Sequence, residues 1–360
     1  MKKIAIDARM VRHSGIGTLT TNIISRLPMN SGLDIFLLGN PDHLKTFGLP
    51  VIPCESPIYS LREQIDIPVL LKRNGIEALH STHYNIPLFF RGKLCVSIHD
   101  LIHLIYPQFL SSKAALFYAR LMFSFACKNS DKIITISEHS KRDIIKYFKT
   151  DPSRIAITYP GVSSDFFVSE EKARVMKEKY GRYILYVGAI RPHKNVLRLA
   201  EAFISLKQSQ KLEHKLVLVG KSKTDYLIEI KRMFRENHLE NALVIIENPP
   251  QGVIPDMYRG AELFVFPSLY EGFGLPPIEA MACGCPVVSS NSSSLPEVIG
   301  DAGLLIDPDK VEELASAMYK VLTEQDFRDS LIQKGFERIK RFSWETTTSQ
   351  TFEIYKEMLL

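Results

Sequence analysis

Short unbroken apolar runs alternate along this chain with stretches in which apolar residues recur at three- and four-residue spacing. Runs at 3–7, 35–38, 78–81, 94–98, 132–136 and 155–158 predict strands, and the amphipathic stretches at 18–27, 62–73, 113–128 and 138–148 predict helices between them. After a break at Tyr159-Pro160-Gly161 the rhythm restarts, with strands expected at 183–187, 215–219, 242–246, 263–266, 286–289 and 303–306. Runs this continuous suit strands buried on both faces, as in a parallel sheet covered by helices on each side. Strand–helix–strand crossovers are right-handed, so each series closes into a doubly wound layer. The pattern therefore predicts an α/β chain of two Rossmann-like domains, residues 1–168 and 169–343. The charged stretch 169–179 reads as the connector, and a last helix at 344–360 is expected to cross back to the N-terminal domain.

With 360 residues, 45% of them hydrophobic, the chain has enough apolar side chains for two cores and too many for a disordered state. It holds no uncharged apolar run of about 18 residues, the length that marks a membrane-spanning helix. The start, Met1 to Asp7, lacks the apolar stretch of a secretory signal, so the cytoplasm is the expected compartment. Cys54, Cys95, Cys127, Cys283 and Cys285 show no paired spacing and read as free core thiols. Charge is uneven: residues 1–170 hold 20 Lys/Arg against 14 Asp/Glu, and residues 171–360 hold 25 against 26. A basic first half suits an anionic partner, either a phosphate-bearing substrate or an anionic membrane surface, and ordinary solvated lysines suit it equally. The helix at 113–128 and the basic region 141–154 are the candidate peripheral contact with the inner face of the cell membrane. Leu116, Phe117 and Leu121 fit a core-packed helix as well.

Ligands of open α/β sheets sit outside the carboxyl ends of strands. For two such sheets the expected site is an interdomain cleft that both face, lined by the residues that follow each strand. After the first strand, Ser14-Gly15-Ile16-Gly17-Thr18 opens a helix. The two glycines allow close backbone approach, and a helix N-terminus offers N–H groups to a phosphate or sugar oxygen. His99 follows the strand at 94–98, where an imidazole can bond a hydroxyl or move a proton. After the strand at 183–187, Arg191, His193 and Lys194 bring cationic donors to one short loop, which suits a diphosphate whose charge grows as it departs. The richest stretch follows the strand at 263–266. Glu271, Gly272, Phe273 and Gly274 precede Pro276-Pro277, where a helix begins, and Glu279 falls in or near its first turn. Carboxylates accept hydrogen bonds from sugar hydroxyls, while amides and a helix N-terminus favour a phosphate. Together they read a nucleotide-linked sugar.

These residues resemble family 4 of the retaining glycosyltransferases, which have the two-domain GT-B architecture. The resemblance extends over essentially the whole chain. It is strongest from Phe266 through Pro308, with Glu271-x7-Glu279, Ser293-Ser294-Leu295-Pro296-Glu297 and Gly300-Asp301-Ala302-Gly303. The branch it resembles holds the bacterial mannosyltransferase-type enzymes of polysaccharide assembly. The resemblance implies that Glu271 contacts the donor sugar and Glu279 the ribose hydroxyls. It gives Gly272, Phe273 and Gly274 to the donor sugar and phosphate, Lys194 to the leaving diphosphate and His99 to the donor sugar near the reacting centre. Gly15 and Gly17 are implied to line the phosphate and acceptor side. Many members have Gly-Arg where this chain has Gly188-Ala189, and others carry arginine at the position of His193, which leaves Arg191 as the nearest second cation.

The activity so implied is transfer of a hexose, with mannose from GDP-mannose as first choice, to a hydroxyl of a glycan or glycolipid, with retention of anomeric configuration. No Asp-x-Asp metal signature is read in the chain, no cofactor is expected, and activity should persist in EDTA. Two other readings stay open: a sugar-nucleotide epimerase of the same architecture, which needs no acceptor, and a non-catalytic nucleotide-sugar-binding protein. No nucleic-acid partner is expected.

Overall fold

A computed structural model of the chain describes residues 1–13, 15–28, 32–110, 112–167, 169–222, 224–250 and 252–359. They form two units, Met1–Gly161 with Ser343–Leu360, and Val162–Phe342.

The first unit is built on seven strands: β1 (Lys2–Asp7), β2 (Leu33–Gly39), β3 (Val51–Pro53), β4 (Ala78–Ser81), β5 (Lys93–Ser97), β6 (Lys132–Thr135) and β7 (Ile155–Ile157). Their order is β3-β2-β1-β4-β5-β6-β7, and every pairing is parallel. Consecutive residues of β1 serve opposite faces, as the two-residue strand period requires. Ala5 packs with Ile67 and Leu71 of the helix Glu63–Arg73 and with Met122 and Phe123 of the helix Lys113–Asn129. Ile4 and Ile6 pack with Ile23 and Ile24 of the helix Ile16–Ile24 and with Phe352 and Tyr355 of the helix Trp344–Leu359. That last helix is held by a polar tie as well. Tyr355 Oη lies 2.6 Å from His80 Nδ1, and Ser97 Oγ lies 2.8 Å from its Nε2. Complete burial lowers His80 to about 3, so the imidazole is neutral in this core.

The apolar pattern does not mark β3. It is three residues long and ends in Pro53 at the sheet edge, where the missing N–H leaves no ladder bond unmade.

The second unit carries β8 (Tyr183–Val187), β9 (Lys215–Val219), β10 (Leu243–Ile246), β11 (Leu263–Phe266), β12 (Val287–Ser290) and β13 (Leu304–Ile306). The order is β10-β9-β8-β11-β12-β13, again parallel throughout. Tyr183, Tyr186, Phe264 and Phe266 are fully or almost fully buried in its core.

Two features differ from the sequence pattern. The stretch at 169–179 is no loose connector but a helix, Glu170–Tyr180, whose apolar content is too low to announce it. Its Met176 packs so closely on the helix Val253–Gly260 that a Cβ at Gly260 would lie 2.5 Å from the Met176 Cβ. The unit boundary falls after Gly161 rather than Val168, since 162–167 is tied to the second unit. Arg259 donates to the carbonyls of Asp165 and Phe167, and Cys283 Sγ lies 2.9 Å from Phe166 O. Cys283 is thus a packing and hydrogen-bonding residue, and all five cysteines are buried and free. No helix among the described residues is long and apolar enough to cross a membrane.

Candidate functional site

At the carboxyl end of β11 the chain runs through a loop into the helix Leu275–Ala282. Gly274, just before that helix, has φ 108°, and a Cβ there would lie 2.7 Å from Leu295 Cδ2. Glycine is required on both counts. Pro276 and Pro277 occupy the first turn, where a missing N–H breaks no helical bond. Ser294 Oγ donates to the carbonyls of Glu271 at 3.0 Å and Phe273 at 2.8 Å, and the Glu271 N–H donates to Ser293 Oγ at 2.9 Å. The Ser-Ser-Leu-Pro-Glu stretch thereby acts as the clamp of this loop. Gly272, Phe273 and Gly274 are all buried.

Lys194 arrives from the loop after β8, at the end of the short turn Pro192–Lys194. Asn195 follows it with φ 59° and is held in that left-handed conformation by its Nδ2 donating to Pro308 O at 2.8 Å. The Leu269 N–H donates to His193 O at 2.8 Å, which staples the β8 and β11 loops together. As a result Lys194 Nζ lies 2.5 Å from Glu271 Oε1, with the side chains 17% and 14% exposed. The ammonium also stands 5.5 Å from the centre of the Phe266 ring. Two constellations that are separate in sequence are one site here. Arg191 is exposed and forms no ion pair among the described residues, while His193 is buried.

Glu279 is the fifth residue of its helix, next to the first turn as the sequence suggests, because the helix starts at Leu275. Tyr258 Oη donates to Glu279 Oε2 at 3.2 Å. Desolvation lifts this carboxyl to about 7, with the tyrosine hydrogen bond pulling the other way, so it is poised to change charge near neutrality.

In the first unit His99 follows β5, and burial lowers it to about 4. It is therefore a neutral imidazole near pH 7, able to bond a hydroxyl but unsuited to donating a proton as an acid. Gly15 is exposed with φ 78°. Gly17 has a structural reason instead: a Cβ there would lie 2.4 Å from Val11 O, and its N–H already donates to His13 O at 2.8 Å. That amide is not presented to a ligand. Ser14 lies outside the described residues.

Sequence reasoning missed a buried charge network in the same unit. Arg9 Nη2 lies 2.7 Å from Asp7 Oδ2 and 2.9 Å from Glu63 Oε2, and Glu63 is only 1% exposed. Glu63 Oε1 accepts from Asn85 Nδ2, whose Oδ1 accepts from Tyr118 Oη. Above it lies an aromatic group. Tyr59 Oη is 3.0 Å from His83 Nε2, and the Tyr59 ring stands 6.2 Å from that of Tyr118 and 6.3 Å from that of Tyr84. The Asn85 N–H donates to His83 Nδ1, which leaves the proton on Nε2 and directs it at Tyr59. Tyr59 has φ 66°, a conformation in which a non-glycine side chain is strained. The position of Asp7 at the end of β1, with Arg9 just beyond it, was the available signal.

One Asp-x-Asp does stand in the chain, at Asp307-Pro308-Asp309. Its first carboxylate is engaged locally: Asp307 Oδ1 accepts the Asp309 N–H at 3.1 Å, and Lys310 Nζ lies 3.5 Å from Asp307. Among the described residues no group of three or more His, Cys, Asp or Glu is arranged to hold a metal ion.

Two parallel Rossmann-like units, one carrying a clamped acidic loop that meets a lysine, define the class of GT-B glycosyltransferases. Solved structures agree on the fold. Anabaena HepE in complex with UDP and glucose superposes with a TM-score of 0.81 at 18% identity, over 99% of this chain and 100% of that one. A glycosyltransferase from Rickettsia africae gives 0.78 at 20% identity, over 99% and 98%. The family described as "Glycosyltransferase Family 4" matches residues 14–166, and "Glycosyl transferases group 1" matches residues 168–338. The O-antigen chain mannosyltransferase B of Escherichia coli is 34% identical over 268 residues, covering 72% of this chain and 69% of that one. The O-antigen chain mannosyltransferase RfbU of Salmonella typhimurium is 28% identical over 278 residues, covering 76% and 74%. The chain belongs to glycosyltransferase family 4.

Proposed function

We propose that this glycosyltransferase is retaining and metal-independent, and that it moves mannose from GDP-mannose to a hydroxyl of a glycan or glycolipid in bacterial surface-polysaccharide assembly. The observation that carries the reading is the Lys194–Glu271 pair at the carboxyl ends of β8 and β11, with Glu271 on the same loop-and-helix segment as Glu279. The mannosyltransferase names of the two relatives support the choice of sugar.

In this reading the second unit takes the donor. Glu279 accepts from the ribose hydroxyls, the buried Gly272–Gly274 turn lies against sugar and phosphate, and Glu271 orients the sugar. Lys194 exchanges part of its contact with Glu271 for the diphosphate, and the exposed Arg191 is the second cation. The first unit takes the acceptor, with His99 as a neutral hydrogen-bonding group toward the sugar and Gly15 beside the phosphate. Gly17 supports that turn through packing. The bond from the anomeric carbon to the β-phosphate oxygen breaks, and the acceptor oxygen bonds to that carbon on the same face. The acceptor proton passes to the departing phosphate oxygen, so no protein base is needed. The products are a glycoside and a nucleoside diphosphate. Lys194 stabilises charge that grows only as the bond breaks, which lowers the barrier rather than merely tightening binding.

Glu279 supplies a pH test with a definite sign. Ribose hydroxyls donate to the ionised carboxylate, so donor binding favours the charged form and releases a proton. With the free carboxyl titrating at about 7, GDP-mannose should bind about tenfold more weakly at pH 6 than at pH 8. Calorimetric titration in buffers of different ionisation enthalpy should show about half a proton released at pH 7. Glu279→Gln should abolish both effects. An affinity independent of pH, with no proton released, removes Glu279 from the nucleotide site.

A further inference from the structure

Four loops that leave the carboxyl ends of strands meet in the first unit, where an open α/β sheet takes its ligands. Arg9 follows β1, Tyr59 follows β3, His83 and Tyr84 follow β4, and His99 and His103 follow β5. Each loop is tied to the next. Arg9 Nη1 donates to Ser56 O at 3.2 Å, Tyr59 Oη lies 3.0 Å from His83 Nε2, and Tyr84 Oη lies 3.3 Å from His103 Nδ1.

The rings of this group are used unequally. Tyr84 is buried and stacked on Phe123, with centroids 3.9 Å apart and planes inclined by 25°. Tyr59 is 47% exposed and meets His83 and Tyr118 edge to face, at 79° and 80°. Among the described residues no ring lies stacked on it. A half-exposed ring held at φ 66° at the carboxyl end of a sheet offers a rigid surface to a flat partner.

The surrounding charges select the kind of partner. The guanidinium buried here, Arg9, is divided between Asp7 at 2.7 Å and Glu63 at 2.9 Å, and Asp100 adds a further carboxyl group just beyond β5. The exposed Arg12 lies 3.1 Å from His43, and Arg62 is paired with Asp66 at 2.8 Å. Burial keeps His83 and His99 neutral near pH 7, lowering them to about 3 and about 4, and around His83 the neighbouring His99, His103, Arg9 and His13 act in the same direction. Carboxylates therefore outnumber the fixed positive charge beside Tyr59, which disfavours a phosphate. Phenols and neutral imidazoles exchange hydrogen bonds with hydroxyls instead. A pyranose ring fits both halves of this chemistry, with hydroxyls at its rim and a face of C–H bonds that packs on an aromatic ring.

We infer that Tyr59 is the stacking platform of the acceptor subsite: the acceptor lays an uncharged pyranose ring on it, so the acceptor ends in a sugar and not in a phosphate. This rests on the proposed assignment of the acceptor to the first unit and gives that acceptor its chemical class.

The test is NMR titration of the full chain with two probes, a methyl α-mannotrioside and the same trioside carrying a phosphate monoester on its terminal mannose. GDP-mannose is titrated separately. Wild type should bind the neutral trioside at least about tenfold more tightly than the phosphorylated one. Tyr59→Gly should bind it about tenfold more weakly than wild type, because the ring is gone. Its melting temperature should stay near that of wild type, because glycine takes φ 66° without strain. Tyr59→Phe keeps the ring and loses the contact with His83, so it should retain most of the affinity, which separates stacking from a role in holding the loops. The inference is overturned by equal trioside binding in wild type and Tyr59→Gly, by a phosphorylated probe bound as tightly as the neutral one, or by no binding of either probe to wild type. Wild type that binds the trioside but not GDP-mannose refutes the donor assignment and leaves the platform standing. Wild type that binds GDP-mannose but neither probe does the opposite.

Discussion

Replacing Lys194 by alanine is expected to lower turnover about a hundredfold to a thousandfold, the usual cost of one donor aimed at transition-state charge. The lysine stands 2.5 Å from Glu271 on the stapled β8 and β11 loops, so nothing else in the described residues brings an ammonium to that carboxylate. Its loss should fall mainly on kcat, because charge on the diphosphate peaks as the glycosidic bond breaks. Substrate binding should weaken less. Lys194→Arg should be intermediate, since a planar fork replaces a compact ammonium. The melting temperature should stay near that of wild type, because Glu271, 14% exposed, keeps access to water. Steady-state kinetics with a nucleotide sugar and an acceptor decide the matter. Turnover within about twofold of wild type would take Lys194 out of the reaction.

The second large effect is on stability. Arg9 is 7% exposed and holds both Asp7 and Glu63. Burial alone would lower its affinity for a proton, but the two carboxylates outweigh that and hold the guanidinium charged. Glu63 is itself raised by desolvation, with Arg9 opposing the rise. Arg9→Met leaves two carboxylates buried without a cation, a change that typically costs about 3–5 kcal/mol. For a unit of this size that corresponds to a fall in melting temperature of roughly 6–20 °C. Adding Glu63→Gln to Arg9→Met should recover part of the loss, because one of the stranded charges is then removed. A calorimetric scan in which Arg9→Met unfolds within about 2 °C of wild type would show that the network contributes little.

The fold was legible because parallel strands buried on both faces must be continuous apolar runs, and Tyr183–Val187 or Leu263–Phe266 admits little else. The exceptions have physical causes. β3 is too short and too near the edge to need an apolar core pattern. The helix Glu170–Tyr180 is charged at seven of its eleven positions, and it is Met176 that it buries. At the site, Glu271 and Glu279 could be read together because one loop and one helix carry both. The pairing of Lys194 with Glu271 spans 77 positions and depends on how the β8 and β11 loops meet, which no local pattern encodes. The Asp7–Arg9–Glu63 network is less visible still. Its members look like ordinary surface charges until the sheet and the helix Glu63–Arg73 bury them.

We propose that a loop and helix of the second unit hold an activated sugar for transfer. The most direct test is the reaction itself, run in EDTA with a panel of nucleoside diphosphate sugars and a mannosyl acceptor and followed by the anomeric signals in NMR. One glycoside per nucleoside diphosphate released, with the donor's anomeric configuration kept and GDP-mannose preferred, is the predicted result. A product of inverted configuration, a donor epimerised with no acceptor present, or no turnover with any sugar nucleotide would contradict it.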